Sequence, residues 1–554
     1  MGDDPLRDGG QEGPSVASLV LEALAGAGAE TVFGLPGVHN LAFWSGAGGK
    51  ASPRLVSVRH EQTAVYAADG WARASGRLGA ALVTTGPGAA NTLGAFGEAA
   101  MSRSPLVLVA SEVPRAVAKA RMRRALHQSR DQAGMFKPLA KAVFSPRSPA
   151  EVSRDLSLAV GCALSVPQGP VYVDIPSDVL GVTGVTVPPP APEPASPADR
   201  EVLARVSRLL GPAASVVVWA GGGVVAAGAG ADLGALALLL QAPVITTFGS
   251  RGVLGPDHPC DVVFPPHEPE VEQMLASADV LLAVGTDFDG AMTKNGALRL
   301  PRTIIDINVE PGGAGETYKG AIPVRSDARE ALRTLRGIAT RHEKGLAGGL
   351  PALRGALWYR LRSDPRTAPA AALVELTERV TPPGTVVVND MTIPGYWLGN
   401  YFRPKGPRSV QYPVGWGTLG YALPASVGAA AGTGQRVLAV CGDGGFMFAT
   451  GELATITQEQ LPVTVLLFDD GGYGMLRYGR TTPGRPAPGA DLFVPDFVRL
   501  ADAFGINATR VEGTGAVLEE ALRQAVSSGE PRMVVCGAAL FPPKTTSPRW
   551  AEEI

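Results

Sequence analysis

The sequence predicts an α/β protein of three doubly wound parallel-sheet domains. Three observations carry that expectation. Short, continuously apolar runs alternate with helical patterns along the whole chain, as parallel strands covered on both faces require. One Pro-rich break and one softer Gly-rich break divide the chain into stretches of comparable length. The 554 residues, at about 150 per domain, suit three or four domains.

Composition narrows the class. Hydrophobic residues make up 45% and charged residues 18%, so large cores are available. Gly (70) and Pro (48) are abundant, yet together they stay below the roughly 25–30% at which unpatterned chains are disordered. A net charge of −2 leaves no basic surplus for a phosphate backbone, which argues against nucleic acid as a partner. The cysteines Cys162, Cys260, Cys441 and Cys536 are far apart. They form no disulfide framework or zinc spacing, and a reducing cytoplasm fits. The acidic, Gly-rich N-terminus lacks an apolar signal region. Gly211 to Ala231 is uncharged and long enough for a membrane span, but Gly221, Gly222 and Gly223 follow the β-rich run SVVVWA. Strand, glycine turn and helix is the preferred reading, so no membrane is expected.

The elements follow in order. After a flexible tail at 1–13, the first domain spans 14–187, with strands in AALVTTG and PLVLVAS. Arg59-His60-Glu61-Gln62 opens a helical run in which Ala64, Ala67, Ala68 and Ala72 permit close packing. By itself Glu61 is a carboxylate favoured at a helix start. A linker at 188–200 contains the extended run PPPAPEPASP. The central domain, 201–340, has strands in VVVWAGG, VLLAVGT and TIIDIN. Gly221 to Ala226 fits G-x-G-x-x-A, but the acid expected about twenty residues on is missing, so this is a weak dinucleotide signal. A second linker is expected at 341–360, around EKGLAGGLPAL. The third domain, 361–540, has strands in TVVVND, RVLAVCG and VTVLLFDD, and a tail follows at 541–554.

The strongest chemistry lies in the third domain. Arg436 to Cys441 reads as a strand ending in Gly442-Asp443-Gly444-Gly445. A helical stretch, Phe446 to Gln460, leads to a second strand, Pro462 to Phe468, ending in Asp469-Asp470-Gly471-Gly472-Tyr473-Gly474. A βαβ unit makes the two strands parallel, so both carboxylates emerge at one sheet edge. Mg²⁺ favours one or two carboxylates plus phosphates, and glycines at a helix start expose N–H groups to a phosphate. The unit predicts a Mg²⁺–diphosphate clamp.

GDGG…FDDGGYGM resembles the thiamine-diphosphate motif, a GDG followed by an Asn or Asp pair. The resemblance implies that Asp443 and Asp470 bind Mg²⁺ through side chains and Gly472 through its carbonyl. Many members carry Asn where Asp470 stands. FGLPG (Phe33 to Gly37), the HEQ element and TTGPGAANTLGAFGEA (Thr84 to Ala99) resemble, in that order, the pyrimidine-binding domain of acetolactate synthases and related decarboxylases. This implies pyrimidine-binding, central and diphosphate-binding domains. It assigns Glu61 to the aminopyrimidine, where a carboxyl group shares a proton with a ring nitrogen. Gly415 to Pro424 matches the segment under the bent cofactor, with Gly417 beside it and Leu419 as the apolar support. Thr392, Gly442, Gly444, Gly445, Tyr473 and Gly474 fall in the diphosphate stretches, and Met475 near the acyl pocket. Pro394 and Gly395 replace the His and Gln of several relatives. Some members hold FAD in the central domain and others use it structurally; the structural role is preferred here.

LHQSRDQ (Leu126 to Gln132) and YFRPKGPRSV (Tyr401 to Val410) resemble stretches of catabolic acetolactate synthases, which implies that His127 and Gln128 reach the substrate ketone or carboxylate. The function implied is decarboxylation of a 2-oxo acid, pyruvate, with transfer of the acyl unit to a second acceptor. The alternatives are a simple decarboxylase, for example of guanidino-oxo-acid type, or an enzyme like carboxyethyl-arginine synthase. The family builds its sites between subunits, so a homodimer or homotetramer is implied.

Overall fold

The computed structural model describes residues 13–49, 51–119, 125–183, 199–211, 214–310, 312–478 and 488–543. Most of the expected Pro-rich linker, Pro188 to Pro197, lies outside them, as do most of the two tails. The chain forms two units, Met1–Ala72 with Arg77–Glu193, and Arg73–Gly76 with Pro194–Ile554.

The first unit holds one sheet of β1 (Thr31–Gly34), β2 (Arg54–Ser57), β3 (Gly79–Val83), β4 (Leu106–Glu112), β5 (Ala142–Phe144) and β6 (Pro170–Pro176). Their order is β2-β1-β3-β4-β6-β5 and every pair is parallel. β3, β4 and β6 are buried at every position, which is why apolar residues dominate them. The helix Glu61–Ser75 packs at backbone distance on the start of β3. A Cβ at Gly79 would lie 2.3 Å from the Ala68 carbonyl oxygen, a contact that the small residues at 64, 67, 68 and 72 make available.

The second unit holds two parallel sheets. One comprises β7 (Val216–Ala220), β8 (Val244–Thr246), β9 (Val280–Val284), β10 (Thr303–Asn308) and β11 (Ile322–Arg325), in the order β11-β10-β9-β7-β8. The other comprises β12 (Val386–Asn389), β13 (Val410–Gln411), β14 (Val437–Gly442), β15 (Val463–Asp469), β16 (Asn507–Glu512) and β17 (Arg532–Gly537), in the order β13-β12-β14-β15-β17-β16. The three sheets match the predicted fold class.

Two expectations are corrected. The stretch 341–360 is not an open linker. His342 is buried and its ring meets the Leu210 carbonyl oxygen at 2.9 Å, and Leu350–Ser363 is a helix. Leu350, Leu357 and Leu361 enter a core that runs without interruption from the central to the third sheet. Arg360 donates to Glu270 at 2.8 Å and also pairs with Glu268. Helical spacing of three leucines outweighs the local glycine signal there. The helical stretch expected at Phe446 to Gln460 is helical only at Glu452–Gln458, capped by Gly451, and a separate short helix, Asp443–Phe446, precedes it.

Gly211 to Ala231 contains β7 and the helix Gly222–Ala226, and no helix among the described residues is long and apolar enough to cross a membrane.

Candidate functional site

Asp390, Asp443 and Asp470 follow β12, β14 and β15, which are adjacent strands in that order. The register pairs Asn389 with Val440 and Gly442 with Phe468. Three carboxylates therefore stand in a row at the carboxyl edge of one sheet, where ligands of doubly wound folds bind. They line a cavity of about 290 Å³. Every candidate cofactor- or metal-binding residue from Thr392 to Met475 lines the same cavity.

Asp443 is 1% exposed. Its Oδ1 accepts from the Gly444 amide at 2.7 Å, and its Oδ2 from the Gly471 and Gly472 amides at 2.8 and 2.7 Å. One carboxylate thus shapes both loops. Burial pushes its carboxyl above the usual range, against the pull of those three amides. Asp470 is pushed up to about 6, first by burial and then by the charge of Asp443. A buried acid and a partly buried one that repel each other form a site that favours a cation.

The glycines leave room where side chains would collide. A Cβ at Gly442 would lie 2.6 Å from Thr392 Oγ1, one at Gly444 2.7 Å from the Tyr473 ring, and one at Gly474 2.0 Å from Asp470 Oδ2. Leu419 is 39% exposed, and Gly417 before it has φ +75°. Thr418 Oγ1 is buried without a hydrogen-bond partner among the described residues. Met475 packs its apolar chain against the core while lining the cavity.

Asp390 is a further carboxylate of the cavity that the sequence motifs do not mark. It is 1% exposed, and burial pushes its carboxyl up to about 6. Its oxygens accept from the amides of Met391 at 2.8 Å, Gly420 at 3.0 Å and Ala422 at 3.4 Å. It therefore pins the Gly417–Leu419 loop to the end of β12. The signal was present as an acid at a strand end, but its partners lie thirty residues away.

In the first unit Glu61 begins its helix and is 8% exposed. Its Oε2 accepts from Asn91 Nδ2 at 3.1 Å. The turn before Asn91 lies against the same carboxylate, since a Cβ at Gly88 would come 3.4 Å from Oε1. His127 has φ +66°, and its carbonyl oxygen fills the place of a Cβ on Gly86 at 2.2 Å. Its ring meets that of His39 edge to face at 5.4 Å. The Nδ1 atoms of both rings are buried without a hydrogen-bond partner among the described residues. Gln128 Oε1 accepts from the Ala125 amide of its own loop at 3.2 Å. Gln132, also not foreseen, holds this loop in place. Its Oε1 accepts from the Gly86 amide at 2.6 Å, and its Nε2 donates to the Ser111 carbonyl and the Tyr172 hydroxyl at 2.9 Å each.

Each unit shows features that suit a phosphate- and metal-bearing ligand: glycine turns beside an acid, and in the second unit a cavity lined by a carboxylate pair. Comparison with known proteins agrees. Residues 14–135 match the N-terminal TPP binding domain of thiamine pyrophosphate enzymes, 203–335 their central domain and 390–536 their C-terminal TPP binding domain. The chain belongs to the thiamine pyrophosphate enzymes.

Its relatives include a protein of Pseudomonas aeruginosa named a probable 2-ketoarginine decarboxylase, 34% identical over 89% of this chain and 88% of that one. A probable acetolactate synthase large subunit of Methanocaldococcus jannaschii is 29% identical over 94% of this chain and 91% of its own. An acetolactate synthase of Mycobacterium bovis is 31% identical over 90% and 83%.

The central domain of this thiamine-diphosphate-dependent enzyme uses its glycine run for packing. A Cβ at Gly221 would lie 2.1 Å from the Gly285 carbonyl oxygen, and one at Gly223 2.8 Å from Gly285 Cα. These glycines bring the turns after β7 and β9 into backbone contact, a sufficient reason for the run without a bound nucleotide.

Proposed function

We propose that this enzyme decarboxylates a 2-oxo acid, pyruvate, using thiamine diphosphate and Mg²⁺, and transfers the acyl unit to a second acceptor in the manner of an acetolactate synthase. The observation that carries this is the convergence of Asp443, Asp470 and the glycine loops in one cavity. The carboxylates of Asp443 and Asp470 and the carbonyl of Gly472 would hold Mg²⁺. Thr392, Gly442, Gly444, Gly445, Tyr473 and Gly474 would receive the diphosphate. Gly417 and Leu419 would support the rings, and Met475 would border the acyl group. Glu61 would hold a proton against the aminopyrimidine, and His127 and Gln128 would orient the substrate. Once bound, the cofactor supplies the electron sink for breaking the bond to the carboxylate.

The apolar residues around the cavity support a small acyl unit. Met391, Ile393, Met475, Leu476 and Leu540 line it, and among the described residues of this chain its carboxylates are Asp390, Asp443 and Asp470. Each of those has a role already. The second reading, decarboxylation of a guanidino-oxo acid with release of an aldehyde, draws on the relative at 34% identity.

Incubation with pyruvate and with 2-oxo-5-guanidinovalerate, with products identified by mass spectrometry, separates the two. Acetolactate from pyruvate is the expected result, and it should vanish with EDTA and return with Mg²⁺. A guanidino aldehyde would favour the second reading. No turnover of either acid would overturn both.

We further propose a homodimer or homotetramer whose second copy completes the site. Trp416, Met447 and Phe448, close in sequence to cavity residues, are about half exposed, and such apolar surface is typical of an interface. All four cysteines are free, which supports a reducing, cytoplasmic setting.

A further inference from the structure

Arg477 lies in the short helix Gly474–Tyr478 just past the second carboxylate. Its guanidinium turns back on the loop before it. Nη1 donates to the Asp470 carbonyl at 2.8 Å, and Nη2 to the Gly471 carbonyl at 2.9 Å. Nη1 also stands 3.4 Å from Asp470 Oδ1. On its other side Nε donates to Asp491 Oδ1 at 3.0 Å. One planar fork thus grips two successive carbonyls, a carboxylate beside them and a carboxylate fourteen residues on.

The segment that carries Asp491 lies on the same loop. The Tyr473 amide donates to the Ala490 carbonyl at 2.8 Å, and the Leu492 amide to the Gly471 carbonyl at 3.1 Å. Gly472 and Asp491 form an antiparallel bridge. The approach is close, for a Cβ at Gly472 would lie 2.1 Å from the Ala490 carbonyl oxygen. Gly471 and Gly472 have φ of +86° and +138°, conformations natural to glycine but loosely held by it. The loop therefore depends on outside contacts for its shape, while Asp470 faces the like charge of Asp443.

We propose that Arg477 is a positioning residue for the metal loop. With Ala490–Leu492 it holds Asp470–Gly472 in the ligating arrangement, and its charge allows Asp470 to stand beside Asp443 before a cation arrives. This rests on the assignment of Asp443, Asp470 and Gly472 as Mg²⁺ ligands. The rigid fork matters because an ammonium group cannot grip both carbonyls in a fixed geometry.

Mn²⁺ binding, read from the electron paramagnetic resonance signal of the free ion with thiamine diphosphate present, tests it. Arg477→Gln should weaken Mn²⁺ binding roughly 10–100-fold, the range for residues that orient ligands. Arg477→Lys should fall between Arg477→Gln and wild type, and kcat at saturating Mn²⁺ should change much less than the affinity. Asp491→Asn, an exposed change that leaves the core intact, should weaken binding about two- to fivefold, as loss of an exposed ion pair would. Unchanged or tighter binding by Arg477→Gln would overturn the proposal, because Arg477 would then merely compete with the cation. If Arg477→Gln fails to fold, unchanged binding by Asp491→Asn overturns it. A wild type that binds no Mn²⁺ removes the metal assignment itself and this proposal with it.

Discussion

Replacing Glu61 with Gln should lower kcat by roughly 10²–10⁴-fold, the usual contribution of a positioned proton-transfer group. The melting temperature should move little. The amide has the same shape, and its oxygen can still accept the bond that Asn91 Nδ2 now gives at 3.1 Å. What it lacks is a carboxyl oxygen able to hold and release a proton at the cofactor ring. Steady-state kinetics with saturating cofactor, alongside a thermal melt, separate the two effects. Turnover equal to wild type would remove Glu61 from the chemistry, and an unfolded variant would mean that its role is chiefly structural. Burial to 8% exposure gives this test its force, since a solvated helix-start acid should tolerate the change.

Asp443→Asn should cost both metal binding and loop structure. The two carboxylate oxygens accept three amides, so an Asn must direct its own NH₂ at one or two of them. Each amide left without an acceptor costs about 1–3 kcal/mol. Metal affinity should fall by about 10²-fold or more, since a direct ligand should exceed the roughly 10–100-fold seen for residues that only orient ligands. The expected result is a lower melting temperature together with an activity that no practical Mg²⁺ concentration restores. Normal Mg²⁺ activation in this variant would show that the clamp is elsewhere.

Much of the site could be read from the chain because its signals are local. Asp443 and Asp470 follow consecutive strands of one βαβ unit, and the parallel pairing of those strands places them side by side. Glu61 begins a helix whose small residues mark close packing. The residues that hold these groups were less legible. Asp390 takes its hydrogen bonds from residues 420–422, Gln132 from the turn at Gly86, and Arg477 reaches back to Asp470 and on to Asp491. A polar side chain announces only that it needs partners; which ones it finds depends on tertiary placement. The stretch at 341–360 shows the opposite error. Its glycines suggested a break, while the burial of Leu350, Leu357 and Leu361 depended on a neighbouring sheet that local pattern does not reveal.

That continuous core, passing from the central sheet through the helix Leu350–Ser363 to the third sheet, has a consequence for how the molecule comes apart. Elements that share buried apolar contacts lose them together, so cooperativity follows the core. Heating should melt the central and third sheets in a single calorimetric step, with the first unit free to melt separately. Damage to the central sheet would then be felt at Asp443 as lost folding cooperativity, even where no central-domain residue touches the cofactor.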